Sequence, residues 1–144
     1  MALVTRNHPK LTLEGARAVL AAAQRRAEEI RVPMDIAVVD EGGHLLAFER
    51  MDGAKPSSIG IAMVKAQAAA VRRAATGPVM DGDKVNLSLA LGLAIANSAQ
   101  QTPLRGGAPL IVDGEVVGAI GVSAGKEEQD VDVARAGAAA LEKA

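Results

Sequence analysis

Asp113-Gly114 stands between the apolar run Leu110-Ile-Val112 and a longer one from Glu115 to Val122. An Asp-Gly pair in that setting specifies a tight antiparallel reversal. A second reversal is written upstream: Met34 to Asp40 and His44 to Arg50 read as strands on either side of Gly42-Gly43, where glycine accepts the positive φ of a tight turn. Two hairpins exclude an all-helical chain and leave helices to cover the sheet. The expected class is α+β, an antiparallel sheet of two hairpins flanked by helices on both faces.

The helical segments follow from spacing. Thr12 suits an N-cap, and Ala16, Val19, Leu20, Ala23, Ala27 and Ile30 recur at helical intervals, predicting a helix over 13–31 that Pro33 ends. Ser57 or Ser58 would cap a second helix reaching about residue 75, with a narrow apolar stripe of Ile59, Ala62, Met63, Ala66 and Ala70. Residues 76–83 carry loop chemistry, and a third, mostly apolar helix spans about 85–100. Residues 102–109 form a Gly/Pro-punctuated entry into the second hairpin. After it, Glu127, Glu128 and Asp130 open a last helix, where acidic groups complement the positive end of the helix dipole. The order is α, ββ, αα, ββ, α.

Composition limits what such a chain can do. Its 144 residues suit one domain, 1–144, and of these 49% are apolar but only 1% aromatic, so Ala, Val, Leu and Ile must fill the core. Small side chains let helix and sheet approach closely, yet each buries little area. Burial between copies is one remedy, and a homo-oligomer is expected. The net charge is −1 with dispersed Lys and Arg, which argues against nucleic acid. No cysteine is present, excluding thiol chemistry and zinc-thiolate sites. The N-terminal stretch 1–10 lacks the apolar run of a signal peptide and no later segment is apolar for the length a bilayer requires, so a cytoplasmic protein is expected, with no membrane partner.

The first hairpin concentrates chemistry: Asp40, Glu41, His44, Glu49, Arg50 and Asp52 lie with Phe48, the one aromatic residue. A three-residue loop would place Asp40 opposite His44, Val38 opposite Leu46 and Ile36 opposite Phe48. A two-residue loop would set Glu41 opposite His44 instead. A carboxylate–imidazole pair can serve acid–base chemistry or orient a metal ligand, although a solvated tip would look the same. Arg50, Asp52 and Lys65 form a second group, suited to anion capture or to a structural ion-pair cluster. Arg105-Gly106-Gly107 forms a third, either a backbone cradle for an anion or a plain turn. The candidate soft or imidazole ligands are His8, His44, Met34, Met51, Met63 and Met80, without the spacing of a zinc site. A single histidine could still be an axial haem ligand.

Leu11-Thr-Leu-Glu-Gly-Ala-Arg17, the block from Val38 to Ala54, Ser58 to Gln67 and the block from Gly106 to Ser123 together resemble the GlcG/HbpS family over nearly the whole chain. The resemblance implies a profilin-like α+β fold that assembles from dimers up to octamers. It also implies relatives that include haem-binding proteins and the C-terminal domain of PduO corrinoid adenosyltransferases. Asp40, Arg50, Asp52, Lys65, Gly106, Gly107 and Asp130 coincide with positions that recur in the family. The implied site is a pocket between the first hairpin, the second helix and the Gly-Gly loop, completed by a neighbouring subunit.

Two functions fit these residues. One is an oligomeric binder of haem or another carboxylate-bearing tetrapyrrole, with Arg50, Lys65 and Arg105 on carboxylates, Asp40, Asp52, Gly106 and Gly107 in the same site, and His44, with His8 second, on the iron. The other is a cofactor-independent lyase or isomerase of a small carboxylate. There Arg105 and the Gly106 and Gly107 amides would hold the anion while His44, Glu49 or Lys65 moves a proton.

Overall fold

The computed structural model describes residues 1–98 and 100–142. Helix α1 (Leu13–Glu29) starts at Thr12, whose Oγ1 accepts from the Gly15 amide at 3.0 Å. Strands β1 (Asp35–Asp40) and β2 (Leu45–Arg50) form the first hairpin, and α2 (Ser58–Arg72) follows. A two-stranded ribbon, β3 (Met80–Asp81) and β4 (Lys84–Val85), leads into α3 (Leu87–Ala96). Strands β5 (Gly107–Val112) and β6 (Glu115–Ser123) form the second hairpin, and α4 (Glu127–Ala139) closes the order.

The main sheet is antiparallel with order β2-β1-β6-β5, so the two hairpins join through β1 and β6. Alternation along β1 divides the core. Ile36 and Val38 meet α1 and α4 in a cluster with Val19, Ile120, Val122 and Val133. Ala37 and Val39 meet α2 in a cluster built almost wholly of alanine, with Phe48 and Met63 at its margin. This is the α+β class expected from the sequence, with two helices on one face and one on the other.

Seating α2 so near the sheet requires glycine. A Cβ at Gly121 would collide with backbone atoms of Ala62 and Ala66, and one at Gly107 with the backbone of Lys65. The alanine stripe and these glycines are two halves of one close approach.

Several expected details differ. The Asp40–His44 rung forms as anticipated, with the Asp40 amide donating to the His44 carbonyl at 2.8 Å. Below it the register shifts: Ile36 lies opposite Glu49, not Phe48, and Val38 opposite Ala47, not Leu46. The extra β2 residue, Leu46, makes a bulge, which lets Leu46 and Ala47 both rest on the α1–α4 core while Phe48 turns to α2. The 76–83 segment is not all loop, because it contains β3 and the turn into β4. Helix α2 stops at Arg72, where Arg73 takes a left-handed φ of 56°. Neither serine caps α2 through its side chain: Ser57 holds the N-cap position without a side-chain bond, and Ser58 is already helical. Strand β5 begins at Gly107 rather than Leu110, and it tolerates Pro109 because it is an edge strand.

Candidate functional site

β1 sets the geometry of every candidate residue, because its two ends carry different chemistry. At its start Asp35 pairs with Ser123 and Arg50, and at its end Asp40 pairs with Gly118. Those rungs stand roughly 17 Å apart at the usual rise of a strand.

At the Asp35 end, Lys65 and Asp130 are buried, their side chains 3% and 5% exposed, with Nζ 2.8 Å from Asp130 Oδ2. Lys65 Nζ also donates to the Val122 carbonyl at 2.8 Å, and the Gly125 amide donates to Asp130 Oδ1 at 3.0 Å. Burial pushes the Asp130 carboxyl above its ordinary value, against the pull of the Lys65 ammonium and the Gly125 amide. The pair ties α2, β6 and α4 together. It floors a cleft of about 230 Å³ that Arg105, Lys55, Ser58, Ser123 and Glu127 also line. Behind Ser123, both Asp35 carboxylate oxygens are buried with no hydrogen-bond partner among the described residues. Burial raises this carboxyl too, partly offset by Arg50.

At the Asp40 end, Asp40 Oδ1 accepts from the Gly42 and His44 amides, both at 2.9 Å. The carboxylate therefore organises the turn backbone and makes no bond to the His44 ring. His44 borders a cleft of about 110 Å³ with Gln67, Val71 and Gln100. His8 lies on a much wider groove, about 690 Å³, with Arg73, Ile111, Glu115 and Val116. Its Nδ1 is 2.7 Å from Glu115 Oε2.

The composite pocket expected from sequence is thus divided within the chain. Lys65 and Arg105 meet in one cleft, and Asp40 and His44 lie at the opposite end. Arg50 and Asp52 are exposed and line neither cleft. Lys65 finds Asp130 as its partner rather than Asp52. The proton-transfer trio separates as well. Glu49 stands beside Glu28 of α1, on the face of the sheet away from α2, where burial and that neighbour raise its pKa. Gly106 and Gly107 do not form an open cradle. The Gly107 amide donates to Thr76 Oγ1 at 2.9 Å, and the Gly106 carbonyl accepts from Val122. A Cβ at Gly106 would lie 3.0 Å from Lys65 Nζ and nearer still to the Val122 carbonyl. These glycines give room to a lysine.

Sequence reasoning missed Asp35, Ser58, Ser123, Arg73 and Glu115. Asp130 was legible as a helix-dipole residue but not as the counter-ion of Lys65. No metal-binding group of three or more His, Cys, Asp and Glu residues occurs among the described residues. No helix among them is long and apolar enough to cross a membrane.

Comparison with known proteins gives these clefts a context. The family described as "Haem degrading protein HbpS-like" matches residues 11–139. Protein GlcG of Escherichia coli K12 is 40% identical over 113 residues, covering 78% of this chain and 81% of its own. The crystal structure of Klebsiella pneumoniae protein ORFY superposes with a TM-score of 0.85 at 31% identity, covering 100% of this chain and 99% of that one. A PduOC:heme complex superposes with a TM-score of 0.79 at 28% identity, covering 93% and 96%. The match to the family takes in both hairpins, α2 and the Lys65–Asp130 pair, and the chain belongs to the HbpS-like family.

Proposed function

We propose that the protein is an oligomeric small-molecule binder whose ligand is haem or another tetrapyrrole bearing carboxylates, held in the groove at the Asp40 end. The observation that carries this reading is the His8–Glu115 contact at 2.7 Å on the rim of that groove. A histidine that ligates a metal typically gives its other ring nitrogen to a carboxylate, which fixes the tautomer and strengthens the ligand. Nδ1 is engaged in that way here, and Nε2 has no bond to a described residue. Arg73 is placed for a propionate, and Ile111 and Val116 offer apolar walls. A groove of about 690 Å³ lies within the usual ~300–1,000 Å³ of small-molecule sites, whereas the cleft beside His44 is far smaller. His8 rather than His44 would therefore hold the haem iron, although it precedes the span matched by the family. The family description and the heme complex of a relative support the ligand class. Haem would supply iron chemistry; the chain would supply an imidazole, a cation and apolar cover.

Assembly has a natural seam in α3. No charged side chain occurs between Lys84 and Arg105, and Leu87, Leu91 and Ile95 are 75%, 64% and 71% exposed. A helix apolar all round is one that other protein encloses. The lyase or isomerase reading draws less support, since His44, Glu49 and Lys65 do not converge.

Haem titration followed by Soret absorbance tests the proposal. Saturable uptake is expected in the wild type and in His44→Ala, with a shifted and weakened band in His8→Ala. A spectrum altered in His44→Ala alone would return the iron-holding role to His44. Absence of saturable uptake would overturn the proposal.

A further inference from the structure

The cleft at the Asp35 end is not used by the haem reading, and it has the makings of a separate site. Three cations, Lys55, Lys65 and Arg105, face it against two carboxylates, Glu127 and Asp130. The Lys65–Asp130 pair is internally neutral, so a positive balance is left for something else. The N-terminal turn of α2 meets the cleft through Ser58, and it has neither a side-chain cap nor an acidic residue to offset its positive end. That end attracts anions.

A second observation is independent of the helix. Ser58 and Ser123 are each only 5% exposed and both line the cleft, and their hydroxyls, unlike the enclosed Asp35 oxygens, open onto it without a bond to a described side chain. Each of these hydroxyls can both donate to and accept from a ligand in the cleft. Between Ser123 and Gly125, Ala124 holds a φ of 96°, a conformation uncommon outside glycine. That turn brings the Gly125 amide onto Asp130, so the floor of the cleft is fixed before any ligand arrives.

We propose that this cleft binds a short free carboxylate that carries a second polar oxygen. The carboxylate lies against Arg105 and the positive end of α2, and the second oxygen lies between Ser58 and Ser123 above the Lys65 ammonium. At about 230 Å³ the cleft admits a small acid and excludes a tetrapyrrole, and both histidines lie at the other end of the sheet.

Ligand-observed NMR on the full chain at constant ionic strength tests this with three probes: sodium lactate, sodium propionate and lactamide. Lactate should bind saturably, propionate several-fold more weakly, and uncharged lactamide not at all. Arg105→Gln, an exposed position, should weaken lactate at least ten-fold and leave haem uptake unchanged. A Ser58→Ala, Ser123→Ala double variant should bring lactate down to the level of propionate. Non-saturable lactate signals, equal binding by Arg105→Gln, or displacement of lactate by haem would each overturn the proposal. Haem uptake on the same samples reports separately on the groove at the Asp40 end.

Discussion

Lys65 and Asp130 meet at 2.8 Å with almost no exposure to solvent, and they join the middle of α2 to the first turn of α4. Both groups are desolvated, so each needs the other. Lys65→Met would leave the Asp130 carboxylate with the Gly125 amide as its one remaining bond. The expected loss is about 3–5 kcal/mol of folding stability, the usual result of removing one partner from a buried pair. Lys65→Met combined with Asp130→Leu should recover most of that loss. A double-mutant cycle by urea unfolding measures the coupling.

Asp35 predicts the form of the pH–stability curve. Its pKa in the folded chain lies above the ordinary value because it is buried without a partner, and Arg50 only partly opposes this. The folded state therefore retains the proton to higher pH than the unfolded state does. Stability from this group is fullest below the unfolded pKa and declines as pH rises through the folded one. Asp130 and Glu49 are raised as well and slope the same way. Asp35→Asn, a neutral isostere, should flatten part of the decline above the ordinary carboxylate range. Melting temperature against pH for both proteins is the check, and parallel curves would contradict the assignment.

Two glycines should respond in opposite directions to alanine. Gly121→Ala drives a methyl into the backbone of α2 and is expected to cost about 1–3 kcal/mol, as overpacking does, at the upper end because backbone rather than a flexible side chain is met. Gly92 lies within α3 with nothing within 4 Å of an added Cβ. Gly92→Ala should therefore stabilise α3 by about 0.5–1 kcal/mol through helix propensity. Denaturation midpoints of the two variants decide the point.

The exposed apolar helix α3 predicts the assembly state. Replacing Leu91 and Ile95 with glutamate introduces charge into a helix that has none, and both side chains are largely exposed in the single chain. Light scattering at micromolar concentration should show a large wild-type particle and a much smaller one for the double variant, with far-UV circular dichroism of the body retained. An unchanged mass would exclude α3 as the seam.

The fold was legible in the sequence where local chemistry decides it. Asp113-Gly114 and Gly42-Gly43 mark turns by backbone conformation, and Thr12 marks a helix start by a bond to a residue three positions on. The bulge at Leu46 was not legible, because it depends on which face of a distant core has room. The candidate site divides in the same way. Lys65, Arg105 and Asp130 were singled out, but the Lys65–Asp130 pairing spans 65 positions and could not be read from spacing. Placing Asp40 and His44 with Lys65 rested on the family resemblance, which implied one pocket between the first hairpin, α2 and the Gly-Gly loop. That helix is long enough to touch both ends of the sheet, about 22 Å at 1.5 Å per residue.

Between α2 and the sheet there is little but methyl groups and backbone: Ala62, Ala66, Ala69 and Ala70 rest against Ala37, Ala119 and Gly121. Trimming any of these side chains frees at most one carbon, so mutation cannot hollow out a chamber there in the way that a Leu→Ala change hollows an ordinary core. Innovation in such an architecture is confined to its rims. Hairpin tips, helix ends and the segments that pack beside them can be exchanged without disturbing the layer they frame, and descendants of this fold would diversify in what they recognise by altering its two ends while the middle is inherited nearly unchanged.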